Sequence, residues 1–321
     1  MLRPHSLDTS PPPDIKWLHR TGFDRCADRR DGRAVPHFSL TRNKRKGERP
    51  VGKFDGVLLV SDFDDTLYGL DLRVCPRNIE ALNYFITQGG RFTVATGRAH
   101  TTFAPYVHLA PINAPVILSN GSAIYDFQQD RSLVQTYLDP RAPQDMAALA
   151  ADIPEIGFEA YHNEDIYVYN FNAVTAGHMK KVGTGYTACP IAHMPTPWTK
   201  VILQQEHDVL LRARAWLLDR CPGRYEAVFS NPYYLEVTDR GSTKGSMVVR
   251  LADLLHIDRK NIYCAGDNQN DISMLAVSAI PFAPANCAPE VKEWGARVLC
   301  HCNDGLMAEI VALLDRRYPE Q

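Results

Sequence analysis

Short apolar runs alternate with longer stretches of helical periodicity along most of this chain, and the alternation changes character twice. Buried-strand runs fall at 57–62, 91–95 and 115–119, with amphipathic helices predicted at 77–88 and 100–107 between them. A βαβ rhythm of this kind predicts right-handed crossovers and a Rossmann-like parallel sheet flanked by helices, the α/β class. After Asn120 and Gly121 the pattern becomes mixed. A hairpin (AIYDF, then SLVQTYL) leads into a helix near 142–151, strands at 156–161 and 165–170, a helix near 173–181, a strand at 198–204, a helix at 207–219 and strands at 224–229 and 233–237. The βα rhythm resumes with the helix opened by Lys244. The expected organisation is a discontinuous core of residues 54–130 and 232–321, an inserted α+β domain at 131–231, and a leading arm at 1–53.

The first run carries the chemistry. VLLVSDFDDTLY, at 57–68, is a strand apolar on both faces that delivers Asp62, Asp64 and Asp65 at its carboxyl end, where ligands of parallel sheets bind. Clustered carboxylates repel one another unless a cation or an anionic reaction offsets them. A second short run, 262–265, ends in Gly266, Asp267, Asn268, Asn270 and Asp271. Between the two lie VATGRAH, where a strand runs into Thr96, Gly97 and Arg98, and GSTKGSMVVRLADLL, where Lys244 starts an amphipathic helix. Two carboxylate pairs, a hydroxyl at a strand end and a lysine at a helix start together suit a phosphate and a divalent metal. Each has a plainer reading. Thr96 and Gly97 can end a strand, Asn270 and Asp271 can cap a helix, and Arg98 can meet a phosphate or pair with an acid.

In their order, DFDDTL, TGR, TKG and GDNQND resemble the four motifs of the haloacid dehalogenase superfamily of phosphatases. The insert and the phrase LSNGSAIYD resemble the Cof-type subfamily, whose cap domain is of the C2 type. The resemblance runs from about residue 54 to the C-terminus and implies a Mg²⁺-dependent phosphatase for a small phosphorylated metabolite, a sugar phosphate or a phosphorylated cofactor. It implies Asp62 as the nucleophile that forms an aspartyl phosphate, Asp64 as general acid and base, and Lys244 and Thr96 on the phosphoryl group. Asp62, Asp267, Asp271 and the Asp64 main chain are implied around the metal. Gly97, Arg98, Asn120, Lys244 and Asn270 are implied around the substrate. A phosphate ester needs a barrier lowered by about 20 kcal/mol, most of it through positioning and charge neutralisation. Residue 65 departs from the family, where glycine is commonest; Asp65 is expected to turn its carboxylate toward amides of its own turn.

A phosphohexomutase and a catalytically silent metabolite-binding protein are the alternatives. In the insert, His162, Asn163, Glu164, Lys200 and Tyr233 are candidates for reading the substrate, with no role assigned, and Tyr161, Tyr167, Tyr169 and Phe171 are expected in its core. The 321 residues suffice for two cores, and a net charge of −2 predicts no nucleic-acid partner. No run reaches membrane-spanning length and no secretory signal is visible, so a cytoplasmic monomer or homodimer with no membrane partner is expected. The eight cysteines include no CxxC pair and read as thiols, with the CHC at 300–302 a weak metal corner. The arm, with three successive prolines from Pro11 and basic residues from Arg42 to Arg49, is expected to be disordered.

Overall fold

The structure, a computed structural model, describes residues 52–319; the arm expected at 1–53 lies, but for its last two residues, outside the described residues. The first buried run forms β1 (Leu58–Ser61), followed by α1 (Pro76–Thr87) with proline in its first turn, where a missing N–H is harmless. Next come β2 (Arg91–Val94) and α2 (His100–Phe103). The helix expected to reach 107 continues as a 3-10 helix, Ala104–Leu109, because Pro105 has no N–H to carry the α-helical ladder. Then β3 (Val116–Leu118), β4 (Ala123–Asp126) and β5 (Arg131–Gln135) make an antiparallel three-stranded sheet. One parallel bridge, Ala95 to Ile117, ties it to the end of β2.

The middle of the chain runs through α3 (Ala142–Asp152), β6 (Gly157–His162), β7 (Asp165–Tyr169), α4 (Ala173–Val182), β8 (Thr187–Ala188), β9 (Lys200–Gln204), α5 (His207–Arg220), β10 (Tyr225–Asn231) and β11 (Tyr234–Asp239). Its six strands form one sheet in the order β10-β11-β9-β6-β7-β8. Strand alternation divides the side chains between two faces. Phe158, Ala160, Val201, Leu203, Leu235 and Val237 join an apolar cluster with α3 and α5. The opposite face carries Tyr161, Ile166, Val168 and Ile202 against Met179 of α4, with Glu159, Lys200, Gln204 and Glu236 buried among alternating positions. The strands β11 and β5 hydrogen-bond into the six-stranded and three-stranded sheets, so strand pairing crosses both boundaries expected from sequence, 231/232 and 130/131.

The chain closes with α6 (Lys244–Leu254), β12 (Ile262–Ala265), α7 (Ile272–Leu275), β13 (Pro281–Ala283), α8 (Pro289–Trp294), β14 (Arg297–Val298) and α9 (Leu306–Arg317). The five-stranded sheet, ordered β14-β13-β12-β1-β2, is parallel throughout. Its central strands β1 and β12 are buried at every position, and helices cover the sheet, as the α/β reading expects. Ser61 and Ala265 stand side by side in the register of β1 and β12, so the two acidic loops leave the sheet as neighbours.

Candidate active site

The meeting of those loops is enforced by main-chain geometry. The N–H of Asp62 donates to the carbonyl of Ala265 at 2.8 Å, which sets the first acid beside the loop bearing the second pair. Lys244 begins α6 behind a capping box of Thr243 and Ser246. Two glycines let that helix start come close. A Cβ on Gly121 would meet the Thr243 carbonyl at 2.3 Å, and one on Gly245 would meet the Ser273 carbonyl at 2.1 Å. The approach buries the lysine side chain completely.

The ammonium of Lys244 donates to Asp62 Oδ1 at 2.5 Å and to Asp271 Oδ1 at 2.6 Å. Asp271 Oδ2 accepts the N–H groups of Asp267 (2.9 Å) and Asn268 (3.0 Å), so both its oxygens are engaged and it orients its neighbours. Asp267 Oδ1 accepts from the Thr66 hydroxyl at 2.9 Å. One carboxylate oxygen from each of Asp62, Asp267 and Asp271 lies within 4.8 Å of the others. Burial pushes the Asp62 carboxyl well above its ordinary range; Lys244 opposes this, while Asp271 and Asp267 add to it. Burial and Asp271 likewise push Asp267 up to about 8. Burial alone would lower Lys244, but Asp271 and Asp62 outweigh it and raise it. Three buried carboxylates against one ammonium leave an excess of negative charge. An oxygen-seeking divalent cation fits that donor set.

Asp64 faces another way. Arg98 grips it through Nε at 2.8 Å and a terminal nitrogen at 2.7 Å, and the guanidinium lies 4.4 Å from the ring centre of Tyr106. Of the two roles left open for Arg98, pairing with an acid is the one observed, and that acid is a site residue. Asp65 has the left-handed backbone its position requires (φ 60°). Asp65 lines the cleft, and among the described residues its carboxylate accepts no hydrogen bond from the amides of its own turn, contrary to expectation. Burial and Asp64 raise it, and Lys181 across the cleft opposes them. Thr96 is buried; its hydroxyl accepts the Arg98 N–H at 3.1 Å, and its carbonyl accepts the Asn120 N–H at 3.0 Å. Asn270 donates to Asn120 Oδ1 at 3.0 Å. The buried Nδ2 of Asn120 has no hydrogen-bond partner among the described residues and points near Gly97, an orphaned donor that a ligand oxygen would satisfy.

The acids open into a cleft of about 190 Å³ whose far side is the α4-bearing face of the six-stranded sheet. Lys200 reaches 2.7 Å to the Gly97 carbonyl and 3.3 Å to Glu236. Among the insert candidates it alone lines the cleft: Glu164 accepts the Thr101 N–H at 3.2 Å, His162 contacts the Pro197 carbonyl, and Tyr233 is exposed. Of the expected insert-core aromatics Tyr161 is buried, whereas Phe171 is exposed and stacks on Tyr186. Sequence reading missed Thr66, Glu159, His178, Tyr234 and Glu236. For Glu159, Tyr234 and Glu236 the only signal is a polar residue at alternate positions of otherwise apolar strands; Thr66, in the turn after β1, and His178, on α4, carry none. At the CHC segment, the His301 ring caps the turn by accepting the Asn303 N–H, and Cys302 is buried; no metal grouping forms there among the described residues.

A family model for haloacid dehalogenase-like hydrolases matches residues 59–310, which takes in all four motifs. The chain belongs to the haloacid dehalogenase-like hydrolases. The family resemblance drawn from the motifs is thereby met, and with it the expectation of a hydrolase of the phosphatase type. Relatives within the family include the HMP-PP phosphatase of Serratia proteamaculans, 26% identical with 78% of this chain and 92% of that protein aligned. The 5-amino-6-(5-phospho-D-ribitylamino)uracil phosphatase of Bacillus subtilis is 25% identical, over 72% of this chain and 88% of its own. Among solved structures, a phosphatase of the haloalkanoate superfamily from Bacteroides thetaiotaomicron superposes with a TM-score of 0.71 at 19% identity, covering 84% of this chain and 99% of that one; this likeness shows the shared fold.

Proposed function

We propose that the chain is a Mg²⁺-dependent phosphatase that hydrolyses a small phosphorylated metabolite, a sugar phosphate or a phosphorylated cofactor, through an aspartyl phosphate on Asp62. The observation that carries this reading is the buried Lys244 ammonium held between Asp62 and Asp271, with Asp267 beside them. Asp62 is the nucleophile: fixed at the strand end, it presents its second oxygen to phosphorus and divides one hard displacement into two easier ones. Lys244 offsets charge on Asp62 and on the phosphoryl oxygens. A Mg²⁺ ion held by Asp62, Asp267 and the Asp64 main-chain carbonyl would supply further charge neutralisation for the phosphoryl group. Asp271, saturated by three donors, acts as a positioning residue for Lys244 and for the Asp267 loop.

Asp64 serves as acid toward the leaving alcohol and then as base toward water. To do so it must leave the bidentate grip of Arg98, which the arriving substrate phosphate can take over. The six-stranded sheet with α3, α4 and α5 serves as the cap over the cleft, keeping water away until the alcohol has left.

Phosphate release from p-nitrophenyl phosphate by the full chain tests this, with Mg²⁺, with a chelator and with Asp62→Asn. The reading predicts Mg²⁺-dependent turnover that the substitution abolishes. Absence of turnover with bound ester intact supports the silent metabolite-binding protein. Isomer formation from a hexose phosphate, dependent on a bisphosphate and exceeding phosphate release, supports the phosphohexomutase.

A further inference from the structure

The far wall of the cleft holds a polar device that the phosphoryl chemistry does not use. Glu159, on β6, is wholly buried and accepts from the Tyr161 hydroxyl at 2.9 Å and the Gln204 amide at 2.6 Å. Its third neighbour is His178 Nδ1, at 2.7 Å. A buried carboxylate accepts, so the closer contact directs the proton of this imidazole nitrogen at Glu159, and with the Gln204 amide nitrogen 3.1 Å from the same atom the ring is held in one orientation. The ring packs on Tyr234, with centroids 4.8 Å apart, and lines the cleft opposite the acids, leaving Nε2 for a ligand.

What surrounds that nitrogen narrows the ligand. Most polar groups of this wall are already paired within the protein. Lys200 is held by Gly97 and Glu236, Glu236 also by the Ser230 hydroxyl at 3.2 Å, and Asn231 Oδ1 by the Tyr233 N–H at 2.8 Å. Tyr234, against the imidazole, and Ile202 and Val182 supply apolar and aromatic surface in the same cleft. Lys181, the other open polar side chain of α4 in the lining, acts on Asp65 at the acid end; beside His178 a polyhydroxylated body would leave hydroxyls unmatched, whereas a flat ring with one polar substituent finds a shelf on Tyr234 and a fixed partner in His178.

We infer that His178 is a specificity-determining residue, held in register by Glu159, which hydrogen-bonds the ring substituent of a heteroaromatic phosphomonoester lying against Tyr234 and Ile202. The inference rests on the phosphatase reading for the phosphoryl end and names the body of the substrate. Its test uses binding, so that it does not depend on turnover. Isothermal titration calorimetry of the full-length Asp62→Asn chain with Mg²⁺ compares pyridoxine 5′-phosphate, a heteroaromatic ester without a lysine-reactive aldehyde, with ribose 5-phosphate. The ring ester binds about tenfold more tightly or better. Adding His178→Asn, whose amide keeps a donor for Glu159 but removes the far nitrogen, weakens the ring ester about tenfold and ribose 5-phosphate less than about twofold. Equal or tighter binding of ribose 5-phosphate overturns the inference, as does equal weakening of both ligands. If the Asn variant has no cooperative thermal transition, the preference of the Asp62→Asn chain between the two esters decides alone. A parent chain that binds pyridoxine 5′-phosphate in this way yet releases no phosphate overturns the phosphatase reading alone.

Discussion

The two walls of the cleft are built on opposite plans. The wall of acids is made from loops that leave adjacent parallel strands, so its residues come in compact runs: Asp62 to Thr66, Thr96 to Arg98, and Asp267 to Asp271. The facing wall is made from the flat of a sheet whose strands β6, β9 and β11 pair antiparallel, and its polar residues come singly, from Glu159, Lys200 and Glu236 on those three strands and His178 on a helix. Charge is handled differently too. The acids are left in excess over Lys244, whereas on the facing wall Lys200 pairs with Glu236, and Glu159 is held by hydrogen bonds from Tyr161, Gln204 and His178. The first arrangement is poised for an incoming cation and phosphate; the second is poised to disfavour ligands that cannot satisfy His178.

Substitutions can break this contrast, beginning with the largest effect. Asp62→Asn keeps the shape of the acidic wall and removes the proposed nucleophile, so kcat falls by about a thousandfold or more in steady-state phosphate release, while substrate binding persists. Lys244→Met leaves Asp62 and Asp271 facing each other without their shared ammonium. The unfolding free energy in urea drops by about 3–5 kcal/mol, and added Mg²⁺ recovers part of it. A Lys244→Met chain as stable as the parent would show that the carboxylates are neutralised in another way.

On the facing wall the effects are smaller and fall on binding. Lys200→Met takes the ammonium from Glu236 and the side-chain donor from the Gly97 carbonyl; stability falls by about 1–3 kcal/mol and KM rises more than kcat falls. A change in kcat alone would place Lys200 with the acids. Thr66→Val removes the hydroxyl on Asp267 and raises the Mg²⁺ concentration for half-maximal activity about tenfold, as loss of an outer-shell partner does. The smallest effect is Asn172→Ala, which removes the cap of the helix bearing His178 and lowers stability by about 1 kcal/mol, measured by thermal melting.

The same contrast explains what the sequence could reveal. The parallel sheet was legible because β1 and β12 are buried on both faces and read as unbroken apolar runs ending in acids. The helix begun by Lys244 was legible from its amphipathic spacing after Thr243. The facing wall was not. A strand such as KVILQ, at Lys200–Gln204, reads simply as a mostly apolar strand, and nothing local says that Lys200 and Gln204 are buried beside Glu159 and Glu236, far away in sequence. Register between distant antiparallel strands decides which polar residues meet, and that is a tertiary property. Arg98 shows the same limit on the acidic side: its motif was visible, but its grip on Asp64 depends on how two loops fold together. The turn of Asp65 was anticipated from its tolerance of left-handed backbone; its place on the cleft wall, where Lys181 offsets its charge, was not.

The central claim is that phosphorus becomes covalently attached to Asp62. Its most direct measurement is an acid-quenched single turnover of the Mg²⁺-loaded chain with a phosphate ester, followed by borohydride reduction and peptide mass spectrometry. The account predicts conversion of Asp62 to homoserine, with Asp64, Asp267 and Asp271 unchanged. Released phosphate with Asp62 unmodified throughout the turnover, or reduction at a different aspartate, would contradict it.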